Sequence, residues 1–304
     1  MNTIFWGPSG WEFLHAITAI YPVKPSLNDK ILMRDFMLCI CSILPCKYCR
    51  VSFTNYFNTL DIIPYLESNN LMQEWIYKMH IKVNNKLRHQ GYCTTKNPEL
   101  EDVKNKYIKL VINKIENIYK QIILKTIKPQ HAMKSICNYI CNLGYNFIGS
   151  IVFNYQAYYA NCHTSDEKLN IIYIHNKFFN ILQLLICNYI LKHNPTGKMA
   201  YDACTTIKKI NIKKILIQNE SYTKFKQWFY NYSMLCNITD KTDGTDGTDT
   251  SNDNTNTNTN KDFKNYDDFE NYFNKHIVSS CATPSKNNIV NSCRKRTKTN
   301  TKRY

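Results

Sequence analysis

The spacing of proline residues is the feature that most restricts how this chain can fold. Pro22 and Pro25 interrupt the first stretch of apolar periodicity, Pro45 interrupts the second, and Pro64 interrupts the third. Because proline inside a helix removes a hydrogen bond and clashes with the preceding turn, helices are expected to lie between these breaks. The segments between them have the helical period of about 3.6 residues, and the alternation typical of strands is absent.

Five helices are predicted near the start of the chain: near residues 9–20, 28–43, 46–59 and 69–88, and after Pro98. A tight turn at Gly7-Pro8 is expected to precede the first of them. Five helices within about 120 residues imply a bundle. The predicted fold class is therefore all-α, with a four-helix bundle, a short fifth helix, a second helical domain and a disordered tail.

The second half of the chain has a different composition from the bundle. Helical periodicity continues to about Asn237, whereas residues 240–260 contain no apolar side chain to bury and are predicted to be a flexible linker. Aromatic residues then recur at helical spacing and predict a short helix: Phe263, Tyr266, Phe269 and Phe273. The predicted parts are 1–120 for the bundle, 121–238 for the second helical domain, 239–262 for the linker, and 263–304 for the short helix and tail.

Charge and composition limit the classes of function. The net charge is +16, but six basic residues without an acid lie among the last eleven: Arg294, Lys295, Arg296, Lys298, Lys302 and Arg303. Nucleic-acid binding is therefore expected only through this tail. No stretch reaches the ~18 to 20 apolar residues of a membrane helix, and the N-terminus lacks a secretion signal. Thirteen cysteines in such a chain favour a redox or metal-binding role for a subset.

One cysteine pair stands at a predicted helix start, in the sequence Leu44-Pro45-Cys46-Lys47-Tyr48-Cys49-Arg50. The backbone amides and dipole of a helix N-terminus stabilise a thiolate, and two basic side chains lie nearby. This arrangement suits thiol-disulfide exchange. A zinc half-site, a thioredoxin-type pair and two ordinary core cysteines are the alternatives. Zinc needs further ligands, and the nearest thiols, Cys39 and Cys41, lie on an apolar helix.

Two further motifs flank this pair. Upstream, Trp6-Gly7-Pro8-Ser9-Gly10-Trp11 leads into a helix that places His15 one turn after Trp11. Downstream, His80 and Asn84 stand one turn apart, beside an apolar stripe formed by Trp75, Met79, Val83 and Leu87. Either motif alone is typical of a core or of a surface. Their order around a helical cysteine pair is what indicates a common site.

This order resembles the Erv/ALR family of FAD-linked sulfhydryl oxidases over about residues 4–110, and in particular members from large cytoplasmic DNA viruses. The resemblance implies that Cys49 is the flavin-proximal sulfur and Cys46 the interchange sulfur. It also implies the residues that bind FAD: Gly7, Trp11, His15, His80, Val83, Asn84, Lys86 and Leu87. The chain departs from the family where Ile81 replaces an Asn, and where Tyr77 replaces a Cys that would otherwise pair with Cys93.

The resemblance further implies the reaction and its setting. Protein dithiols are the expected substrates, oxygen the electron acceptor and hydrogen peroxide the product, in a homodimer located in the virion or the host cytoplasm. A second pair that relays electrons is expected to be Cys281 with Cys293, or Cys137 with Cys141. The alternative function is that of a zinc-stabilised basic virion or nucleic-acid-binding protein without enzymatic activity.

Overall fold

A computed structural model describes residues 2–92, 95–160, 162–193, 223–227, 229–231 and 263–277. Within this part of the chain every regular element is helical. The α-helices are α1 (Thr3–Ala19), α2 (Leu27–Ile43), α3 (Lys47–Thr59), α4 (Asn69–His89), α5 (Leu100–Tyr107), α6 (Asn113–Ile123), α7 (Pro129–Leu143), α8 (Tyr145–Ala160), α9 (Ser165–His193) and α10 (Tyr266–Asn274). The predicted all-α class is confirmed.

Local signals explain where the bundle helices begin. Ser26 and Asp29 form a reciprocal capping box at the start of α2, and the Ser68 hydroxyl accepts a hydrogen bond from the Leu71 amide at the start of α4. Cys46 occupies the cap position of α3 directly after Pro45. The helices predicted from residues 28, 46 and 69 therefore start within one residue of the observed positions.

The first helix begins earlier than the sequence suggested, and the turn predicted at Gly7-Pro8 is wrong. Asn2 caps α1, because its side-chain oxygen accepts a hydrogen bond of 3.0 Å from the Ile4 amide. Pro8 then lies inside the helix and cannot donate to the carbonyl of Ile4. Both Ile4 and Pro8 are exposed, so water can reach that carbonyl and the helix continues through the proline.

Helices from the second half of the chain cover α1 and α2. A Cβ atom built on Gly144 would lie 2.7 Å from the Phe13 ring, so α7 and α8 meet α1 at a distance that only glycine allows. Phe36 of α2 stacks on Phe178 of α9 with ring centroids 5.4 Å apart. One apolar core thus runs from α1 to α9, and the domain boundary placed near residue 120 stays a prediction.

The short aromatic helix predicted after residue 262 is present as α10, and it docks on the rest of the protein. Phe269 and Phe273 are fully buried. A Cβ built on Gly149 of α8 would lie only 2.1 Å from the Phe273 ring. The Asn2 amide also donates a 2.9 Å hydrogen bond to the His276 carbonyl, which joins the end of this segment to the start of α1.

Several predictions fall outside the described residues. They include the linker at 239–262, the basic tail, Cys93 and the cysteines Cys281 and Cys293. None of the described helices is both long and apolar enough to span a bilayer.

Candidate active site

The cysteine pair lies at the start of α3. Cys46 has extended backbone dihedrals, φ −122° and ψ 123°, and α3 begins at the next residue. Its side chain is buried, with 6% of its surface exposed, whereas Cys49 is half-buried one turn later. Both sulfurs therefore belong to the first turn of a helix, where unpaired backbone amides favour a thiolate.

Side-chain hydrogen bonds to two backbone carbonyls fix the turn that precedes Cys46. The Arg50 guanidinium donates a 2.6 Å hydrogen bond to the Leu44 carbonyl, which closes the turn from the same helix. The side-chain amide of Asn154, on α8, donates a 3.1 Å hydrogen bond to the Pro45 carbonyl. The cysteine pair is therefore tied to the second half of the chain as well as to its own helix.

Aromatic and imidazole rings from α1, α4 and α5 form a second group, which we call the ring cluster: Trp11, His15, His80 and Tyr107. Trp11 stacks on His80 with centroids 4.0 Å apart, and His15 stacks on Tyr107 at 4.8 Å. His15 Nε2 and His80 Nδ1 lie 3.2 Å apart and share a hydrogen bond. The i, i+4 spacing on α1 and the packing of α1 on α4 bring the predicted residues together.

Burial keeps the two histidines of the ring cluster neutral. It is the main cause that lowers the pKa of His15 to about 3, with smaller contributions from His80 and Lys106. Burial, followed by the charge of Lys106, lowers the pKa of His80 to about 4. Burial also raises the pKa of Tyr107, and the charge of Glu12 adds to the effect. The cluster at pH 7 is thus a set of uncharged flat rings with hydrogen-bonding edges.

The remaining predicted ligands point in different directions from α4. Asn84 donates a 3.0 Å hydrogen bond to the side chain of Asn97, and Lys86 donates one of 2.5 Å to Ser52 on α3. Since Ser52 is one turn beyond Cys49, Lys86 brings a positive charge to the cysteine helix. Val83 and Leu87 are half-buried on α4. Gly7 lies on α1, one turn before Trp11, and a Cβ added to Gly7 would meet nothing within 4 Å.

Some residues near these groups carried no sequence signal. Tyr107 and Lys106 come from a separate helix, and Asn154 lies 109 residues from its partner Pro45. Contacts of this kind arise from tertiary packing, so no local spacing could have indicated them.

Cys39 and Cys41, the cysteines of α2, have the surroundings of core thiols. Burial raises the pKa of Cys39 and of Cys41 to about 11, as expected for core thiols. Cys141 is half-buried on α7, and the side chain of Cys137 is outside the described part. Among the described residues, no three His, Cys, Asp or Glu side chains gather as metal ligands would.

A cleft of about 650 Å³ lies on another side of α4. It runs between this helix and residues 95–99, and Tyr77, Lys78 and Lys82 line it. Lys78 already forms an ion pair of 2.6 Å with Glu74. The cleft includes neither the cysteine pair nor the ring cluster, so its size alone does not connect it with their chemistry.

Comparison with known proteins gives a family match for part of the chain. Residues 8–107 match the model of the Erv1 / Alr family. The mitochondrial FAD-linked sulfhydryl oxidase ERV1 of Saccharomyces cerevisiae is 35% identical over 82 residues, which are 27% of this chain and 42% of that protein. The probable FAD-linked sulfhydryl oxidase R368 of Acanthamoeba polyphaga mimivirus is 31% identical over 80 residues, 26% of this chain and 56% of that protein.

An FAD-linked sulfhydryl oxidase of African swine fever virus is 28% identical over 125 residues, 41% of this chain and 88% of the viral protein. The chain thus spans about half the length of the yeast and mimivirus proteins that it matches. No solved structure matches the chain.

Proposed function

We propose that this chain, whose residues 8–107 resemble the Erv1 / Alr family, is an FAD-linked thiol oxidase that forms disulfides through Cys46 and Cys49. The family resemblance predicted from the sequence is confirmed by that match. The observation that carries the proposal is the position of both sulfurs in the first turn of α3, where a thiolate is stabilised.

The exchange step needs only the two sulfurs and a substrate dithiol. A substrate thiolate attacks Cys46 Sγ, the Cys46–Cys49 bond breaks, and Cys49 leaves as a thiolate. The second substrate thiolate then attacks the substrate sulfur of the mixed disulfide and releases Cys46. The substrate loses two electrons and two protons, and the pair gains them. Because Cys46 is 6% exposed, the side chains that cover it must move during the attack.

The donor set of the site fits a flavin nucleotide. Trp11 and His80, the half-buried members of the ring cluster, offer flat rings for stacking. The open space beside Gly7 allows a ligand to approach the α1 backbone, and Lys86 offers a cation for a pyrophosphate. Gly7, Trp11 and His15 on α1, and His80, Val83, Asn84, Lys86 and Leu87 on α4, would hold the cofactor. Bound FAD would take the two electrons of the reduced pair and pass them to oxygen, giving hydrogen peroxide.

The wider biology is proposed by likeness to the viral relatives. Their names, FAD-linked sulfhydryl oxidase, support thiols as substrates. Protein dithiols as those substrates, and the virion or host cytoplasm as the site of action, are further parts of the proposal. A homodimer remains part of the proposal and is tested by sedimentation of the purified chain.

Cysteine replacement and colour test the function together. Purified protein should be yellow, with a flavin spectrum, and should consume oxygen when given dithiothreitol. Cys46→Ser and Cys49→Ser should each abolish this uptake, while Cys162→Ser, at a half-buried thiol between α8 and α9, should leave it near the wild-type rate. A colourless protein with stoichiometric zinc would favour the zinc-binding alternative, and near-normal uptake in both pair variants would overturn the assignment of Cys46 and Cys49.

A further inference from the structure

The turn before the cysteine pair depends on a hydrogen bond from a distant helix. Leu44, Pro45 and Cys46 are all buried, and Pro45 has no amide proton to take part in a local hydrogen-bond network. Its carbonyl would be costly to bury without a donor. The Nδ2 atom of Asn154 provides that donor at 3.1 Å.

The surroundings of Asn154 indicate that this hydrogen bond is the reason for having an amide there. Asn154 is 1% exposed on the buried side of α8, one turn after the buried Ser150. Its Oδ1 atom is buried and has no hydrogen-bond partner within the described residues. An apolar side chain would avoid the cost of that oxygen. A backbone carbonyl only accepts hydrogen bonds, so the amide nitrogen must be the atom that faces Pro45.

We propose, on the basis of the thiol-oxidase function above, that Asn154 is a positioning residue that sets the redox equilibrium of the Cys46–Cys49 pair. Cys46 stands at the cap of α3 with extended dihedrals, and its carbonyl accepts a 3.0 Å hydrogen bond from the Arg50 amide, so the preceding turn and the helix together determine where its sulfur lies. Asn154 restricts that turn through the Pro45 carbonyl. Part of the chain beyond residue 120 therefore has a role in the chemistry of the pair.

The restriction acts mainly on the reduced state. In the disulfide, the bond to Cys49 already limits the positions of Cys46. With both thiols reduced that bond is absent, so the turn contributes more to their positions, and a looser turn lowers the effective concentration of one sulfur at the other. Loss of the hydrogen bond should therefore favour the dithiol and raise the reduction potential of the pair.

The test compares two asparagines on the same helix. Asn154→Leu removes the donor and keeps the number and branching of the side-chain heavy atoms. Asn146→Leu is the matched control, because Asn146 is also buried on α8 but accepts its 2.7 Å hydrogen bond from the Tyr272 hydroxyl. The full-length variants are equilibrated with reduced and oxidised glutathione without oxygen. Alkylation and mass spectrometry of the peptide that contains both cysteines then give the fraction in the disulfide form.

The equilibrium constant for disulfide formation should fall about fivefold in Asn154→Leu, the factor that corresponds to one hydrogen bond of about 1 kcal/mol, and stay within about twofold in Asn146→Leu. Asn154→Asp keeps the shape but turns an acceptor toward Pro45, so it should show at least the same decrease. An unchanged constant in both Asn154 variants, or an equal decrease in the Asn146 control, would overturn the proposal. If the proposed function fails, oxygen uptake is absent from wild type, while this equilibrium still reports on Asn154.

Discussion

Acidification should destabilise this protein through the ring cluster. The pKa values of His15 and His80 are lowered to about 3 and about 4, mainly by burial. Their ordinary value in an unfolded chain is about 6.5. A histidine with a lowered pKa contributes stability that is complete above the unfolded value. That stability is lost as the pH falls from about 6.5 toward the folded value, because the unfolded chain then binds more protons.

The expected loss in the free energy of unfolding follows from the difference between pH 5.0 and the pKa of histidine in the unfolded chain. A pH of 5.0 is about 1.5 units below the pKa of an unfolded imidazole. This difference corresponds to a loss of about 2 kcal/mol in the free energy of unfolding for each histidine that stays neutral when folded. His15 and His80 together should therefore lower the free energy of unfolding by about 4 kcal/mol between pH 7.5 and pH 5.0. Since domains of ordinary stability have about 5 to 15 kcal/mol in total, the effect is large enough to measure.

Urea denaturation at the two pH values, followed by circular dichroism, provides the assay. His80→Gln should reduce the pH-dependent loss by about 2 kcal/mol, even if it lowers the stability at pH 7.5. Flavin content should be equal in the samples compared, because a bound ligand adds its own stabilisation. A wild-type protein equally stable at both pH values would refute the neutral state of the histidines, and so would an unchanged pH dependence in His80→Gln.

Two more predictions concern the end of the chain. Gly149→Ala should destabilise the protein by about 1 to 3 kcal/mol and release α10, because the added Cβ would overlap the Phe273 ring. Limited proteolysis of the wild type and the variant measures the release of α10, and unchanged protection of α10 in the variant would contradict the prediction. Double replacement of Cys281 and Cys293 by Ser should slow the oxidation of a reduced, unfolded protein several-fold but leave dithiothreitol oxidation intact, if that pair relays electrons. Loss of protein oxidation on truncation after Ile277, without loss in the double variant, would instead identify the basic run as a docking arm.

The helices of the bundle were predictable because their signals are local. Pro45 and the serine caps fix where α2, α3 and α4 begin, and the i, i+4 spacing of Trp11 and His15 survives any packing of α1. Pro8 misled the prediction of the first helix because its effect depends on exposure of a carbonyl one turn earlier. The stacking of Tyr107 on His15 could not be predicted from the sequence, because it depends on how α5 packs against the bundle.

The contribution of the second half of the chain to the site was also unpredictable from pattern alone. Asn154 lies in a helix whose sequence is apolar on most sides, and nothing nearby in sequence relates it to Pro45. The glycine at position 144 is intelligible only with the Phe13 ring in place. Such residues are selected by the neighbour they meet, and that neighbour is known only when the chain is folded.

The docking of α10 has a consequence for how the length of this chain can vary. Both ends of the segment between residue 231 and Phe263 are attached to helical structure, through Phe229 at one end and Phe269 at the other. The sequence predicts a flexible linker at 239–262, and the entropy of closing such a linker grows only with the logarithm of its length, so doubling it would cost about 0.6 kcal/mol. Expansion or contraction of the Asn-Thr and Asp-Gly-Thr repeats within it should therefore be nearly neutral for folding, and repeat number can drift while the docked helix is retained.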